Sequence, residues 1–376
     1  MASRTTNPVL DTRALNRATL ARQLLLSRAE MSAEDAVTHL VGLQAQNVKP
    51  PYYQLHARLA GFRPGELAEL MEARRVVRMV TMRSTIHTHT AHDALTLRPL
   101  VQAARDREVG YFRKGLVGVD LGRLAARARA FVEAEPRTMG EIREELLEEW
   151  PGADPQSLSV AARCLLPLVQ VTPRGVWGRS GQVRLTTAAR WIGESEGHER
   201  EQEGQAIDGL VLRYLGAFGP ASVKDMQTWA GLTRLREVFE RLRPRLLAFQ
   251  DGNGTELFDL PDAPRPDADT PAPPRFLPEF DNLLLSHADR SRVLSPESKS
   301  RIWTGNQAHC ALLVDGFLAG LWKVEANGDG DTDGLVVELF GECAKGVQEE
   351  IVAEGEALLA GMGRGAGPVR FGSIHG

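Results

Sequence analysis

Ser222-Val223-Lys224-Asp225, with the residues on either side of it, decides the fold. The Ser222 hydroxyl can accept from an exposed helix amide while the carboxylate three positions on reaches back, so the tetrapeptide marks a helix start. Before it, residues 207–218 form an apolar-periodic stretch. After it come a second such stretch near 233–243 and two alternating runs, 246–250 and 256–259. Asp251-Gly252-Asn253-Gly254 separates those runs, and its glycines permit the tight reversal of a hairpin. The spacing predicts helix, capped helix, helix and two-stranded hairpin.

The same order occurs twice upstream. Thr138-Met139-Gly140-Glu141 stands between periodic stretches at 121–133 and 155–166, with strands expected at 168–172 and 183–187. Ser32-Ala33-Glu34-Asp35 follows a helix begun near Leu15 and precedes strands at 76–82 and 85–89. One such match is common, but three in series predict three tandem winged helix-turn-helix domains, at residues 10–116, 117–200 and 201–262. Their irregular spacing argues against a solenoid. The proline-rich stretch 261–274 reads as a stiff, extended connector. Beyond it, strand-like runs at 275–280, 283–285, 311–314, 317–324 and 335–339 and a helix at 347–359 predict a β-rich C-terminal region. That region, 263–376, is expected to pack with the third domain. The fold class is α+β, largely helical, with the winged helices forming a concave scaffold.

At 376 residues and 43% hydrophobic composition the chain can bury several cores. It has no apolar run of about 18 residues and no apolar signal core at its start, so a cytoplasmic protein is expected. Cys164, Cys310 and Cys343 are scattered without a CxxC pair and read as small buried residues, not as a zinc ribbon. A formal charge of −4 is the opposite of what a nucleic-acid-binding domain usually carries. Its distribution is uneven, however. Residues 72–114 hold nine Arg/Lys against four acids, a balance of +5, whereas 251–281 hold eight acids against two arginines, and 194–203 is acidic as well. An acidic exterior around one basic working face is expected.

No phosphate-cradling GxxxxGK[ST], no GxGxxG after a strand, no GxSxG and no HExxH occurs. Asp329, Asp331 and Asp333 suggest a calcium loop, but Phe340 stands where its closing glutamate belongs. Alternation in Thr85-Ile86-His87-Thr88-His89 puts His87 and His89 on one strand face. With no acid or cysteine partner near in sequence they are read as an exposed polar wing face or as phosphate contacts, and no metal is expected. Gln44-Ala45-Gln46 closes a helix carrying Ala36, Val37, Leu40, Val41 and Leu43, just before Pro50-Pro51. Two amides there either satisfy the helix's last carbonyls or form a site.

Gly42-Leu43-Gln44-Ala45-Gln46 and Thr81-Met82-Arg83-Ser84-Thr85-Ile86-His87 carry a resemblance together with three later segments. These are Tyr214-Leu215-Gly216-Ala217-Phe218-Gly219-Pro220-Ala221, Leu257-Phe258-Asp259-Leu260-Pro261 and the distinctive stretch from Phe276-Leu277-Pro278-Glu279-Phe280-Asp281-Asn282 to Arg290. Over nearly its whole length the chain resembles the tandem winged-helix DNA glycosylases of the AlkZ and YcaQ type. Its Gln-x-Gln form is similar to the branch that unhooks interstrand crosslinks, in contrast to the Gln-x-Asp branch. The resemblance implies a basic concave surface for duplex DNA, a catalytic role for Gln44 and Gln46, and an essential β-hairpin. That hairpin is expected near 287–292, with the acidic loop 327–334 a poorer electrostatic match. Lys49, Arg83, His87, His89, His287, Arg290 and Arg292 are the expected DNA contacts.

An N7-alkylated guanine is already cationic and leaves readily, so two amide oxygens would suffice to orient water and steady an oxocarbenium-like sugar. A crosslinked base is tied to the other strand and cannot swing into a closed pocket, which calls for an open groove. The expected protein is a monofunctional, monomeric enzyme of the cytoplasm and nucleoid, with double-stranded DNA carrying alkylated purines as its partner and no cofactor or metal. A non-catalytic DNA-binding regulator is the alternative that the winged-helix pattern alone allows.

Overall fold

The computed structural model describes residues 7–193, 203–326, 333–365 and 367–374. Residues 194–202 of the acidic run and 327–332 of the suggested calcium loop lie outside them. The three start signals act as read. The hydroxyls of Ser32, Thr138 and Ser222 accept from the amides of Asp35, Glu141 and Asp225 at 3.0, 3.2 and 3.1 Å. They head the helices Ala33–His39, Met139–Glu149 and Val223–Ala230.

In the second module Leu121–Ala134, Met139–Glu149 and Pro155–Leu165 precede the strands Leu168–Gln170 and Leu185–Thr187. In the third, Glu203–Phe218, Val223–Ala230 and Arg236–Leu242 precede Leu247–Asp251 and Glu256–Asp259. Between the first two helices of each, one residue bridges to the hairpin's second strand, Arg137 to Leu185 and Ala221 to Phe258. The first module departs from this plan. After Thr12–Arg22 and Ala33–His39 it inserts a short strand, Leu43–Gln44, and two helices, Pro50–Arg58 and Pro64–Glu72, before its hairpin of Val76–Val80 and Ile86–Thr90.

The modules share sheets and cores. Val76–Val80 pairs with Leu168–Gln170, Met79 opposite Val169, which joins two hairpins and Leu43–Gln44 into one five-stranded antiparallel sheet. Pairing each hairpin's free edge against the other satisfies backbone groups that would otherwise stay exposed. The third module's core, built on Tyr214, Phe218, Trp229 and Phe239, also takes in Val41, Met82 and Leu97 from the first.

The C-terminal region packs only in part where the sequence suggests, since residues 286–292 bond the third module but the sheet lies elsewhere. A five-stranded sheet of Val369–Phe371, Asp333–Leu339, Phe317–Ala326, Cys310–Val314 and Arg275–Leu277 lies with the helix Lys345–Gly361 against the first module. Phe276, Trp322, Leu335 and Ile351 share a core with Val37, Tyr52, Leu55 and Leu67, and Leu277, Leu313 and Leu321 share another with Leu20 and Leu25. The reason lies in Pro50–Arg58, every residue of which is buried. A helix covered on all sides needs a partner beyond its own module. The run Leu283-Leu284-Leu285, read as a strand, begins instead in a 3-10 turn, Asn282–Leu284. No described helix is long and apolar enough to cross a membrane.

Among the described residues two ion pairs are wholly buried, Arg22 with Asp259 and Arg58 with Asp281. Arg58 holds both Asp281 oxygens, at 2.7 and 2.8 Å. Removing one partner strands a charge in the interior, so Asp281→Ala is expected to cost about 3–5 kcal/mol in urea unfolding. A loss within error of zero would show that water reaches the pair.

Candidate functional site

Ala33–His39 ends early because Val41 (φ 56°) and Gly42 (φ 92°) turn left-handed. The Gly42 amide donates back to the Val37 carbonyl at 2.9 Å, closing the helix. Glycine is required at 42 twice over, since a Cβ there would also fall on the His89 ring. The chain therefore leaves as an extended edge. Leu43 pairs with Thr88 and Gln44 with His87, so the first amide stands on a strand and not at a helix end as expected. Pairing continues with Ala45 N to Ile86 O at 2.7 Å, and the Ile86 amide donates to Gln46 Oε1 at 3.4 Å.

Three further side chains fix this backbone. Asn282 donates to the Gly42 carbonyl at 2.8 Å and accepts from the Gln44 amide at 3.4 Å. Gln54 Nε2 donates to the Gln44 carbonyl at 3.0 Å, and Arg78 Nη2 to the Ala45 carbonyl at 2.8 Å. Sequence reasoning missed all three. The signal for Asn282 was present in the distinctive Phe276 to Arg290 stretch, whereas nothing local marks Gln54 or Arg78.

Arg83 organises the side chains. Its Nη2 donates to Gln44 Oε1 at 2.6 Å and lies 3.4 Å from His87 Nε2, and its Nη1 donates to the Trp229 carbonyl at the end of Val223–Ala230. Arg83 and Ser84 both take left-handed backbone angles, and Gly231, without a side chain, lets the third module close on Arg83. Burial lowers the Arg83 pKa to about 10, with the nearby charge of Arg290 adding to the effect, so it remains a cation at neutral pH. Arg290 is half-buried, and burial lowers its pKa too. Its guanidinium has no hydrogen bond or ion pair among the described residues.

The histidines are not at the surface. His87 and His89 are buried and stack at 5.5 Å, both against the Thr81 hydroxyl. Burial, reinforced by Arg83, holds His87 well below its ordinary pKa, and burial takes His89 down to about 4. With Nδ1–H donating to the Thr85 carbonyl at 3.0 Å, the neutral His87 offers Nε2 to Arg83. Buried side chains are out of a phosphate's reach, so His87 supports Arg83 instead and His89 packs behind His87. His287 and Arg292 are also interior. His287 Nε2 bonds the Phe218 carbonyl at 2.9 Å, and Arg292 donates to the Pro220 carbonyl and the Thr19 hydroxyl. They tie modules together, contrary to the expected DNA contact. Lys49 is exposed beside Trp177, Arg179 and Arg364 at a cavity of about 600 Å³.

The stretch 287–292 contains no strand. A two-stranded hairpin does stand nearby, Trp303–Thr304 with Gln307–Ala308, turning through exposed Gly305 and Asn306. With Asn47, Glu279 and Phe280 it borders a cavity of about 510 Å³ beside the Gln46 loop. Its Gly-Asn turn was a readable signal. The basic stretch 72–114 is less basic in space than in sequence. Arg78, Arg98 and Arg105 are buried, Arg75 pairs with Glu34, and Arg74 stacks on Trp191 at 4.0 Å.

His56, His89 and His287 have pKa values lowered by burial to about 4, 4 and 3, below the value of about 6.5 in an unfolded chain. As pH falls the unfolded chain takes up these protons first. Their contribution is therefore complete above about pH 6.5 and is lost on descent, at about 1.4 kcal/mol per histidine per pH unit. Urea unfolding at pH 5 is expected to show a clearly lower midpoint than at pH 7. Equal midpoints would mean that these imidazoles are not buried and neutral.

A sequence model described as DNA glycosylase AlkZ-like matches residues 37–360. Among solved structures, Streptomyces sahachiroi DNA glycosylase AlkZ has the same fold, with a TM-score of 0.78 over 97% of this chain and 100% of that one, at 20% identity. No curated protein sequence matches. With six-sevenths of its length inside the family match and that fold throughout, the chain belongs to the AlkZ-like DNA glycosylases, enzymes whose substrate is DNA.

Proposed function

We propose that this glycosylase hydrolyses the N-glycosidic bond of bulky or crosslinking N7-alkylpurines, unhooking of interstrand crosslinks included, with Gln44 and Gln46 as the catalytic pair. The observation that carries this reading is that, among the described residues, no acid bonds either side-chain amide. The Gln44 carboxamide is held by Arg83 and its backbone by Asn282 and Gln54, and the Gln46 carboxamide by the Ile86 backbone amide. Arg83, with a pKa near 10, and His87, held neutral, do not protonate a leaving base at pH 7. A leaving group that already carries positive charge needs no such proton.

Gln46 and the tip of the 303–308 hairpin are exposed, which suits an open groove around a base tied to the opposite strand. The hairpin takes the role expected of an element that enters the duplex beside the lesion. Arg290, whose charge is felt by Arg83, is the first phosphate contact, since a half-buried guanidinium without an anion among the described residues is completed by one from DNA, and Lys49 is a second. Among the described residues no lysine bonds either amide, in keeping with a monofunctional enzyme.

Single-turnover release of N7-methylguanine from duplex DNA tests the reading. Gln44→Ala and Gln46→Ala are each expected to lower the rate by about 100-fold or more while duplex affinity and its salt slope persist. The reading fails if the wild type releases no base from methylated or crosslinked duplex, or if both variants keep its rate. Arg290→Ala behaves differently. It is expected to weaken binding to all sequences and reduce the salt slope by about 1, with release at saturating enzyme nearly kept. An unchanged slope would take Arg290 off the phosphate.

A further inference from the structure

The orientation of the two amides is fixed by chemistry. A guanidinium only donates, so the Gln44 atom 2.6 Å from Arg83 Nη2 is the carboxamide oxygen, and the amino group faces the other way. The Ile86 amide likewise claims Gln46 Oε1. Neither Nε2 donates to any described residue. The pair thus turns its oxygens inward and leaves its N–H groups for the substrate. This reverses the expectation of two oxygens orienting a water, because a water held by donors has its lone pairs engaged and is a poorer nucleophile.

We propose that Arg83 is a positioning residue that holds the Gln44 oxygen so that its Nε2 amino group donates to the departing purine, at ring N3 or O6. This rests on the glycosylase reading above. The C1′–N9 bond breaks, its electron pair goes to the base, and the cationic N7-alkylguanine leaves neutral with added electron density spread over N3 and O6. Water then adds to C1′ and its proton goes to solvent. Gln44 donates a hydrogen bond and transfers no proton. The guanidinium also polarises the carboxamide, which strengthens the N–H it presents. Because Arg83 is anchored on the Trp229 carbonyl as well, the donor is aimed from the third module as much as from the first.

Gln44→Glu separates this from a role for the oxygen. Glutamate has the same length and pairs with Arg83, but its carboxylate donates nothing. Single-turnover release of N7-methylguanine is expected to fall about 100-fold, the usual cost of one aimed donor, with duplex affinity kept. Release at or above the wild-type rate would overturn the proposal. Arg83→Met is expected to lose about as much as Gln44→Ala, and Arg83→Lys, with one donor restored, to recover part of it. The double variant Gln44→Ala/Arg83→Met is expected to be no slower than Gln44→Ala alone. If the two losses multiply instead, Arg83 acts on its own and not through Gln44. Should Arg83→Met fail to fold, the Gln44→Glu result still decides. A wild type that releases no base removes the glycosylase reading and this one together, whereas wild-type release with Gln44→Glu unimpaired removes this one alone.

Discussion

The buried pair of Arg58 and Asp281 holds the site in place. Two charges withdrawn from water persist only when each is fully partnered, so this pair dictates that Pro50–Arg58 and the chain from 281 onward lie together. Asp281 also accepts from the Leu283 amide at 2.9 Å, starting the short turn that aims Asn282 at Gly42 and Gln44. From there the chain crosses to the third module. Tyr214 bonds the Ser286 carbonyl, His287 the Phe218 carbonyl, and the Ala288 amide the Asp225 carboxylate. The third module in turn supplies the Trp229 carbonyl that anchors Arg83. The aim of one carboxamide thus depends on contacts between residues that lie 63 to 240 positions apart.

That dependence marks the limit of what the sequence could say. Ser32, Thr138 and Ser222 were legible as helix caps because their partners lie three residues away. Strands such as Glu256–Asp259 and Phe317–Ala326 were legible from alternation and flanking glycines. The union of two hairpins through Val76–Val80 and Leu168–Gln170 was not, because it depends on two edges meeting in space. Nor was the seat of the C-terminal sheet on the first module. Gln44 is intermediate. Gly42 was a visible stop, but the apolar period running through Leu43 suggested that the helix went on.

Charge misled for a related reason. The arginines of 72–114 were counted as a working face, yet the fold uses Arg78, Arg98 and Arg105 inside, on backbone carbonyls or near-surface acids. A guanidinium offers five donors and a long apolar stem, so it is well suited to joining modules as well as to binding phosphate. Sequence cannot tell these uses apart, since the difference is whether an acceptor from another segment lies within reach. Arg290 is left for another role because it lies half-buried beside Arg83 and no described acceptor reaches it.

Neutral amides beside buried cations also make sense for the proposed substrate in terms of differential binding. A carboxylate placed against an N7-alkylguanine would stabilise the cationic ground state, and that attraction would fade as positive charge moved from the base to the sugar. Arg83, behind the Gln44 carboxamide, has the opposite effect, since its repulsion of the cationic base is relieved as that base becomes neutral. The hydrogen bond from Gln44 strengthens over the same interval, as electron density arrives at the purine acceptors. Each interaction is thus more favourable at the transition state than before it, which is the condition for accelerating the chemical step and not merely binding the lesion.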